Sequence, residues 1–195
     1  MPSTKQFDVD QALDRAVDTF WEHGYKATSM CTLLEGMGIQ KGSFYATFSS
    51  KHEVFLNAMR RYVDRGFGEF KAALHGLPPR EAIVAMFDNI ATTCTGEGRD
   101  KGCLVINTAL ELAPSDDDVG QLVRQTLARH EKMLAELVRD GQKTGEIGAT
   151  SEPRQIAKAL LGLIIGMRVY ARAGLGPSYA AAMRAQANML LDRAI

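Results

Sequence analysis

The sequence predicts an all-α protein of about nine helices, and three observations lead to that fold class. Apolar residues recur every three or four positions along most of the 195 residues, which is the spacing of one helix face. Ser, Asp, Gly and Pro interrupt this pattern at intervals, where helices begin or end. We find no convincing alternation of apolar and polar residues of the kind that marks a strand, and no internal repeat.

The first half of the chain is expected to form five helices, of which the second and third are short. Ser50 and Glu53 have the spacing of a capping box, so a long fourth helix should begin beside them. GLPP at 76–79 should end that helix and begin the fifth. The predicted stretches are Asp8 to Gly24, Thr28 to Gly38, Ile39 to Phe48, 51 to about 74, and Ile83 to Cys94.

The second half is expected to add four helices. After the loop TGEGRDKG at 95–102, a short sixth helix should begin at Cys103. Ser115 and the three aspartates that follow it favour the positive end of a helix dipole, so they mark the start of a long seventh helix. Gly141 and Gly145 should break that helix. The predicted stretches are 103–112, 115 to about 138, 153–173 and 177–193.

Composition limits the classes of function. Lys plus Arg and Asp plus Glu are each 23, so a nucleic-acid partner must be argued from local charge. Three cysteines without paired spacing, and no secretory signal, are typical of the reducing cytosol. The longest apolar stretch is too short to span a bilayer. We therefore expect a soluble, cytoplasmic protein with no membrane partner.

Motifs for catalysis are not found. The sequence has no hydrolase motif and no phosphate-binding glycine loop. The four histidines are scattered, without the His and Cys spacing of a metal site. The sequence thus predicts no enzyme, no cofactor and no metal.

The second and third helices, joined by a Gly-containing turn and braced by the first, have the pattern of a helix-turn-helix. The second helix of such a pair enters the major groove of DNA. Lys41 can donate to guanine, and Gly42 lets the backbone approach closely. Tyr45 and Lys51 follow on the side where a phosphate would lie. The residues that start this helix are small or hydrogen-bonding: Gln40, Lys41, Gly42 and Ser43.

Local charge supports this interpretation in part. Residues 39–65 contain five bases and two acids, whereas residues 1–51 have a net charge of −1. Phe44 and Phe48 should form the apolar underside of the third helix. The same pattern would also fit a short helical hairpin within an ordinary bundle, so the residues alone leave both structures open.

The segment TSMCTLLEGMGIQKGSFYATFSSKHEVF at 28–55 resembles the N-terminal signature of the tetracycline-repressor (TetR) family of transcriptional regulators. The resemblance covers about residues 7–60 and implies a nine-helix, two-domain dimer. GCLVINTALELAP at 102–114 resembles the effector domain of one subgroup of that family. We expect a helix-turn-helix domain at 1–50 and a helical ligand-sensing and dimerisation domain at 51–195.

The resemblance implies roles for particular residues. Reading of the bases falls on Lys41, Gly42 and Ser43. In this sequence Gln40 stands where the family often has a Ser or Thr cap, and Thr47 stands where a His is common. The residues implied to contact phosphates are Thr28, Tyr45, Thr47 and Lys51.

Cys103 is the candidate sensor residue. It follows Lys101 at a predicted helix start, and both features stabilise a thiolate. A regulator could use it to sense electrophiles or oxidants, with Cys94 as a resolving partner. The alternative is that Cys103 is a buried small apolar residue, as Cys31 is expected to be.

A ligand pocket is expected beneath the fourth helix and should suit a small hydrophobic or electrophilic effector. His130 could line it or could be an interior, hydrogen-bonded histidine. Asn107 and Glu111 could supply polar groups to the pocket or simply cap their own helix. The predicted lining residues are Phe67, Phe87, Cys103, Asn107, His130, Met133 and Tyr170.

The eighth helix is apolar around nearly its whole circumference, so it should be buried on all sides. A partner subunit could supply the missing cover and form a four-helix interface, with glycines allowing close approach. Burial within one chain is the alternative. The predicted interface residues are Gly162, Leu163, Ile164, Gly166 and Met167.

Together these features predict a ligand- or electrophile-responsive regulator, a repressor that binds a palindromic double-stranded DNA operator as a homodimer. The alternative is a helical small-molecule-binding protein whose helix-turn-helix does not bind DNA.

Overall fold

The computed structural model describes residues 7–96, 99–149 and 151–192, and it places only helices, turns and loops in them. The residues before Phe7, Glu97 and Gly98 of the predicted loop, and Arg193 of the last predicted helix lie outside the described residues. The described helices are α1 (Val9–His23), α2 (Met30–Met37), α3 (Lys41–Thr47), α4 (Lys51–Ala73), α5 (Pro79–Thr95), α6 (Leu104–Glu111), α7 (Asp117–Thr144), α8 (Pro153–Arg172) and α9 (Gly176–Asp192), with a 3-10 turn at Arg99–Lys101. The predicted all-α fold is confirmed.

Local hydrogen bonds start and end the first helices. The Asp8 carboxylate, where the predicted first stretch begins, accepts from the Gln11 amide at 3.1 Å and so caps α1. Ser29 caps α2 in the same way, by accepting from the Thr32 amide at 3.0 Å. Gly38 ends α2 in the left-handed conformation, with a φ of 69°, which glycine adopts without steric cost.

The chain folds into two compact units. The first consists of the residues up to Phe67 together with Asn107–Val123. Its core includes Phe20 and Phe55, whose rings meet edge to face at 5.0 Å, and both side chains are buried. The predicted boundary at residue 50 falls inside this unit, and the functional division at that position stays a prediction.

The second unit consists of Gly68–Ile106 together with the residues from Arg124 onward. Within it, α5, α8 and α9 pack against one another. Its core holds large apolar side chains from α5, α7, α8 and α9, among them Ile83, Phe87, Leu134, Val138, Leu160, Met167 and Leu191. Nowhere in the described part of the chain is a helix both long and apolar enough to cross a membrane.

The expected break of α7 at Gly141 is wrong. The helix continues through Gly141 and ends at Thr144, before Gly145 with a φ of 77°. A Cβ at position 141 would lie 2.6 Å from the Ile147 side chain and 3.3 Å from Pro79. Gly141 therefore makes room for close packing, and only Gly145 supplies the turn.

Candidate nucleic-acid interface and sensor residues

The orientation of α3 follows from two phenylalanines. Phe44 is fully buried and Phe48 nearly so. Their rings lie 5.5 Å apart and anchor the helix to the first unit. Because both rings point inward, the opposite face of α3 must be presented to solvent, as the sequence predicted.

The outward face of α3 offers hydrogen-bonding groups. Gln40, Lys41, Gly42, Tyr45 and Thr47 are exposed, and Ser43 is half-buried. No atom lies within 4 Å of where a Cβ on Gly42 would be. The face therefore has the length, the donors and the open space that a helix needs to approach the base edges of a major groove.

Thr28, a predicted phosphate contact, and its neighbour Ser29 differ in burial. Thr28 is fully buried, and its hydroxyl donates to the Gly24 carbonyl at 2.5 Å. A phosphate contact by Thr28 would require that bond to break. Ser29 is exposed at the N-terminus of α2, and residue type alone did not distinguish these two neighbouring hydroxyl residues.

Lys51 binds the protein backbone. Its ammonium donates to the carbonyls of Tyr25 and Thr28 at 2.8 and 2.6 Å, and it lies 4.2 Å from the centre of the Tyr25 ring. Burial lowers the pKa of Lys51, and the nearby charge of Glu111 partly opposes that effect. A direct phosphate contact by Lys51 stays a prediction.

The local positive charge is smaller than the sequence count implied. Arg61 forms two hydrogen bonds with the Asp14 carboxylate, at 2.6 and 2.7 Å, and a third with Asp10 at 2.7 Å. Arg65 lies 3.6 Å from Asp14. The hydrogen bond with Arg61 holds the pKa of Asp14 below its ordinary value. Two of the five counted bases therefore neutralise acids of α1.

Glu111 is a second residue whose role the sequence did not predict. Its carboxylate accepts hydrogen bonds from the backbone amides of Tyr25 and Lys26. The interpretation of Glu111 as a polar group of the pocket, or as a cap of its own helix, is therefore replaced by a contact 85 residues away along the chain. Such a contact leaves no periodic signal in the sequence.

The three cysteines have different surroundings. Cys31 is exposed, contrary to expectation, because the short α2 turns it to solvent, where its thiol donates to Glu35 at 3.3 Å. Cys94 is buried near the end of α5, with its sulfur 3.6 Å from the Met167 carbonyl. Cys103 is half-buried immediately before α6.

The predicted pocket residues fall in both units, and the pocket stays a prediction. Phe67 and Asn107 belong to the first unit, and the other five belong to the second. Phe87 and Met133 pack in the second core. His130 is half-buried, and its Nδ1 lies 2.9 Å from the Thr126 carbonyl. Tyr170 stacks on Tyr179 with ring centres 4.2 Å apart.

One group of possible metal ligands is present in the described residues. A ring nitrogen of His52 and carboxylate oxygens of Asp116 and Asp118 lie within 4.8 Å of one another. His52 and Asp116 already pair at 2.8 Å, and Asp116 also accepts from the Val119 amide at the start of α7. Capping of α7 by Asp116 and its hydrogen bond with His52 account for this arrangement.

The predicted interface residues of α8 are divided between core and surface. Met167 is buried in the core of its own chain, and its expected contact with a partner stays a prediction. Gly162 is exposed, and Leu163, Ile164 and Gly166 are half-buried. Several large apolar residues on or near α8 and α9 are exposed in the single chain: Val169, Leu175, Tyr179 and Met189.

Comparison with known families gives two matches. The model described as "Bacterial regulatory proteins, tetR family" matches residues 12–58. The model described as "Tetracyclin repressor-like, C-terminal domain" matches residues 79–187, which is more than half of the chain.

Individual proteins are similar over most of their length. The HTH-type transcriptional repressor ComR of Escherichia coli (strain K12) is 33% identical over 172 residues, covering 87% of this chain and 82% of ComR. The transcriptional regulator AcuR of Cereibacter sphaeroides is 29% identical over 153 residues, covering 76% and 69%. A cysteine mutant of the TetR-family regulator CifR, complexed with a 26-base-pair operator DNA, has a TM-score of 0.83 at 27% identity, covering 96% of this chain and 98% of that chain.

Proposed function

The chain belongs to the TetR family of transcriptional regulators, and from that premise we propose that it represses transcription as a homodimer bound to a palindromic DNA operator. A small hydrophobic or electrophilic effector releases the protein from that operator. Because bacterial DNA lies in the cytoplasm, the protein acts there.

The outward face of α3, with its exposed hydrogen-bonding groups, is the main support for operator binding. Phe44 and Phe48 are buried beneath the helix, while Lys41 and Tyr45 are exposed. In a major groove, Lys41 donates to guanine acceptors, and the open space at Gly42 admits the edge of a base pair. Gln40 and Ser43 add hydrogen-bonding groups beside them.

Phosphate contacts position this helix on the duplex. The N-terminus of α2, with exposed Ser29 as its cap, is suited to one phosphate, since a helix N-terminus attracts anions. Tyr45 and Thr47, which are exposed on α3, are suited to a second. We assign Lys51 an indirect part, because its ammonium already holds the backbone of the turn before α2.

The dimer forms through α8 and α9. Exposed Gly162 allows close approach of a partner helix, and Leu163 and Ile164 become fully covered in the dimer. Val169 and Met189, which are exposed in the single chain, extend the same apolar surface. Twofold symmetry then presents two α3 helices to two half-sites of a palindrome.

The effector binds in the second unit, or reacts there with Cys103. An effector releases DNA only if it binds the DNA-incompetent conformation more tightly than the competent one. Cys103 stands at the start of α6, so an adduct there acts on the first turn of that helix. Phe87, His130 and Met133 supply the mostly apolar surroundings expected for a small hydrophobic effector.

Fluorescence anisotropy with the upstream DNA of its own gene tests the proposal. The wild type should prefer one palindromic sequence over scrambled DNA, and Lys41→Ala should reduce that preference by about tenfold or more. Lys132→Ala, which removes an equal charge from an exposed position on α7, is the matched control and should bind as the wild type does. Equal binding of all sequences by the wild type would favour the alternative, a small-molecule-binding protein without operator recognition.

A further inference from the structure

The turn that joins α1 to α2 is held by a carboxylate from far along the chain. The backbone N–H groups of Tyr25 and Lys26 donate to Glu111 at 3.1 and 2.8 Å. Hydrogen bonds to a charged acceptor are stronger than bonds to a neutral one. Glu111 therefore fixes two consecutive residues of the turn that leads into the helix-turn-helix.

The backbone at Gly24 is shaped for this contact. Gly24 has a φ of 79°, and a Cβ at this position would lie 2.8 Å from Oε2 of Glu111. A larger residue would thus be strained and would also displace the carboxylate. The turn and the Glu111 side chain are complementary in shape as well as in charge.

A cation holds the same turn by its carbonyl groups. Lys51, the first residue of α4, donates to the carbonyls of Tyr25 and Thr28. The turn therefore offers its N–H groups to an anion and its C=O groups to a cation. We call Glu111, Lys51 and residues 24–28 the turn clasp.

The position of Glu111 is not explained by the stability of α6. Glu111 is the last residue of α6, where the helix dipole is negative and disfavours an acidic side chain. The turn amides supply the donors that compensate for this position. Glu111 thus occupies an unfavourable end of its own helix and makes two hydrogen bonds to the turn before α2, so its contact bears on the position of that turn.

We propose that Glu111 is a positioning residue, through which α6 sets the position of α2 and α3 and thereby the affinity for the operator. The helix begins directly after Cys103 and is eight residues long, about 12 Å. A modification at Cys103 that rotates or shortens α6 withdraws the Glu111 carboxylate from Tyr25 and Lys26. This inference rests on the proposed function, because it assigns the regulation of the same DNA-binding face.

Hydrogen exchange and operator binding, measured before and after alkylation, test this role. All proteins carry Cys31→Ser, and N-ethylmaleimide is added until mass mapping shows one adduct at Cys103. In that reaction the sulfur bonds to one carbon of the maleimide double bond, and the thiol proton ends on the other carbon. Glu111→Gln keeps the shape of the side chain without its charge, and Glu136→Gln, exposed on α7, is the matched control.

In the protein with Glu111, the adduct should speed exchange of the Tyr25 and Lys26 amides and lower operator affinity, each by about tenfold. Glu111→Gln should show changes of that size without the adduct, and alkylation should add less than about twofold to them. The Glu136→Gln control should respond as the protein with Glu111 does. If Glu111→Gln does not melt cooperatively, Glu111→Asp, which keeps the charge on a shorter side chain, replaces it.

Two results would overturn the inference. One is an adduct that leaves exchange of the Tyr25 and Lys26 amides unchanged. The other is an adduct that weakens operator binding by the same factor with and without Glu111, since a merely structural role of Glu111 predicts that equality. Failure of the unmodified protein to select an operator would instead refute the proposed function, and the exchange data would still decide whether α6 controls the clasp.

Discussion

Gly36 and Gly42 lie in neighbouring helices, but the space available for a side chain differs between the two positions. At Gly36 a Cβ would overlap the Thr19 hydroxyl, where α1 and α2 pack together. At Gly42 a Cβ would meet nothing within 4 Å. The packing of α1 on α2 therefore requires glycine at position 36. The open space beside Gly42 faces away from the protein, on the side where we propose that DNA binds.

Alanine at these two positions should separate folding from DNA binding. Gly42→Ala should leave the melting temperature unchanged or slightly raised, because alanine favours a helix, and should weaken operator binding by roughly tenfold. Gly36→Ala should destabilise the protein by about 1–3 kcal/mol, as overpacking does. Thermal melts and anisotropy measure the two effects, and full operator affinity in Gly42→Ala would argue against close approach there.

The surroundings of Cys31 and Cys94 disfavour the thiolate form of each. The hydrogen bond to Glu35 raises the pKa of Cys31, although this residue is exposed. Burial raises the pKa of Cys94, and Arg168 opposes that effect. The thiolate is the reactive form, so both groups are held back by their surroundings.

We expect N-ethylmaleimide to label Cys103 before Cys31 and Cys94, as followed by peptide mass mapping over time. Glu35→Gln should speed labelling of Cys31, because it removes the carboxylate whose hydrogen bond and charge raise the pKa of that thiol. It should leave the rate at Cys103 unchanged. Equal rates at all three cysteines in the wild type would count against Cys103 as a sensor.

His130 should make the stability depend on pH. Burial lowers the pKa of His130 below its ordinary value, the hydrogen bond with Thr126 opposes this, and Arg129 adds to it. As the pH falls below about 6.5, the unfolded chain takes up a proton that the folded chain does not. The stabilisation is therefore present above about pH 6.5 and is lost as the pH falls towards the folded pKa.

The melting temperature, measured from about pH 8 to about pH 5, should fall more in the wild type than in His130→Gln. His75→Gln, which changes an exposed histidine, should follow the wild-type curve. Parallel curves for the wild type and His130→Gln would show that another group causes the pH dependence.

At the scale of elements, the ends of several helices were predictable because the side chains that accept hydrogen bonds from their first backbone amides are close in sequence. Asp8 and Ser50 accept from amides three residues ahead, and the apolar spacing indicated the inward face of α3. Contacts between distant segments were not predictable from spacing. Pro79 packs against Gly141 inside α7, and Glu111 binds Tyr25; both depend on the assembled fold.

A charge on the outward side of α8 should prevent formation of the homodimer. Ile164→Glu places a charge at a half-buried position, so one chain can still fold while a dimer would bury an unpaired charge. We expect light scattering to give half the wild-type mass. Gln125→Glu, which adds the same charge at an exposed position of α7, should remain dimeric. A dimeric Ile164→Glu protein would place the interface elsewhere.

At the scale of the whole molecule, DNA binding should depend on two linked recognition helices. When one subunit of the dimer binds a half-site, it holds the α3 helix of the other subunit close to the second half-site of the same duplex. The effective concentration of that second helix at its half-site is therefore high. The wild type should bind a full palindrome at least about a hundredfold more tightly than a single half-site. In Ile164→Glu at low protein concentration, that ratio should fall towards one, which anisotropy with the two duplexes would measure.

The discontinuous first unit also governs when a newly made chain becomes active. Residues up to Phe67 need Asn107–Val123 to complete their core, including buried Leu112 and Val119. Ribosomes add about 5–20 residues per second, so the first helices wait several seconds for these partners. By then α5 and α6, with Cys103, have already been synthesised. A chain whose translation stops before residue 107 therefore lacks Glu111 and the turn clasp. Such a fragment cannot complete the first unit, so it should not bind the operator without responding to an effector.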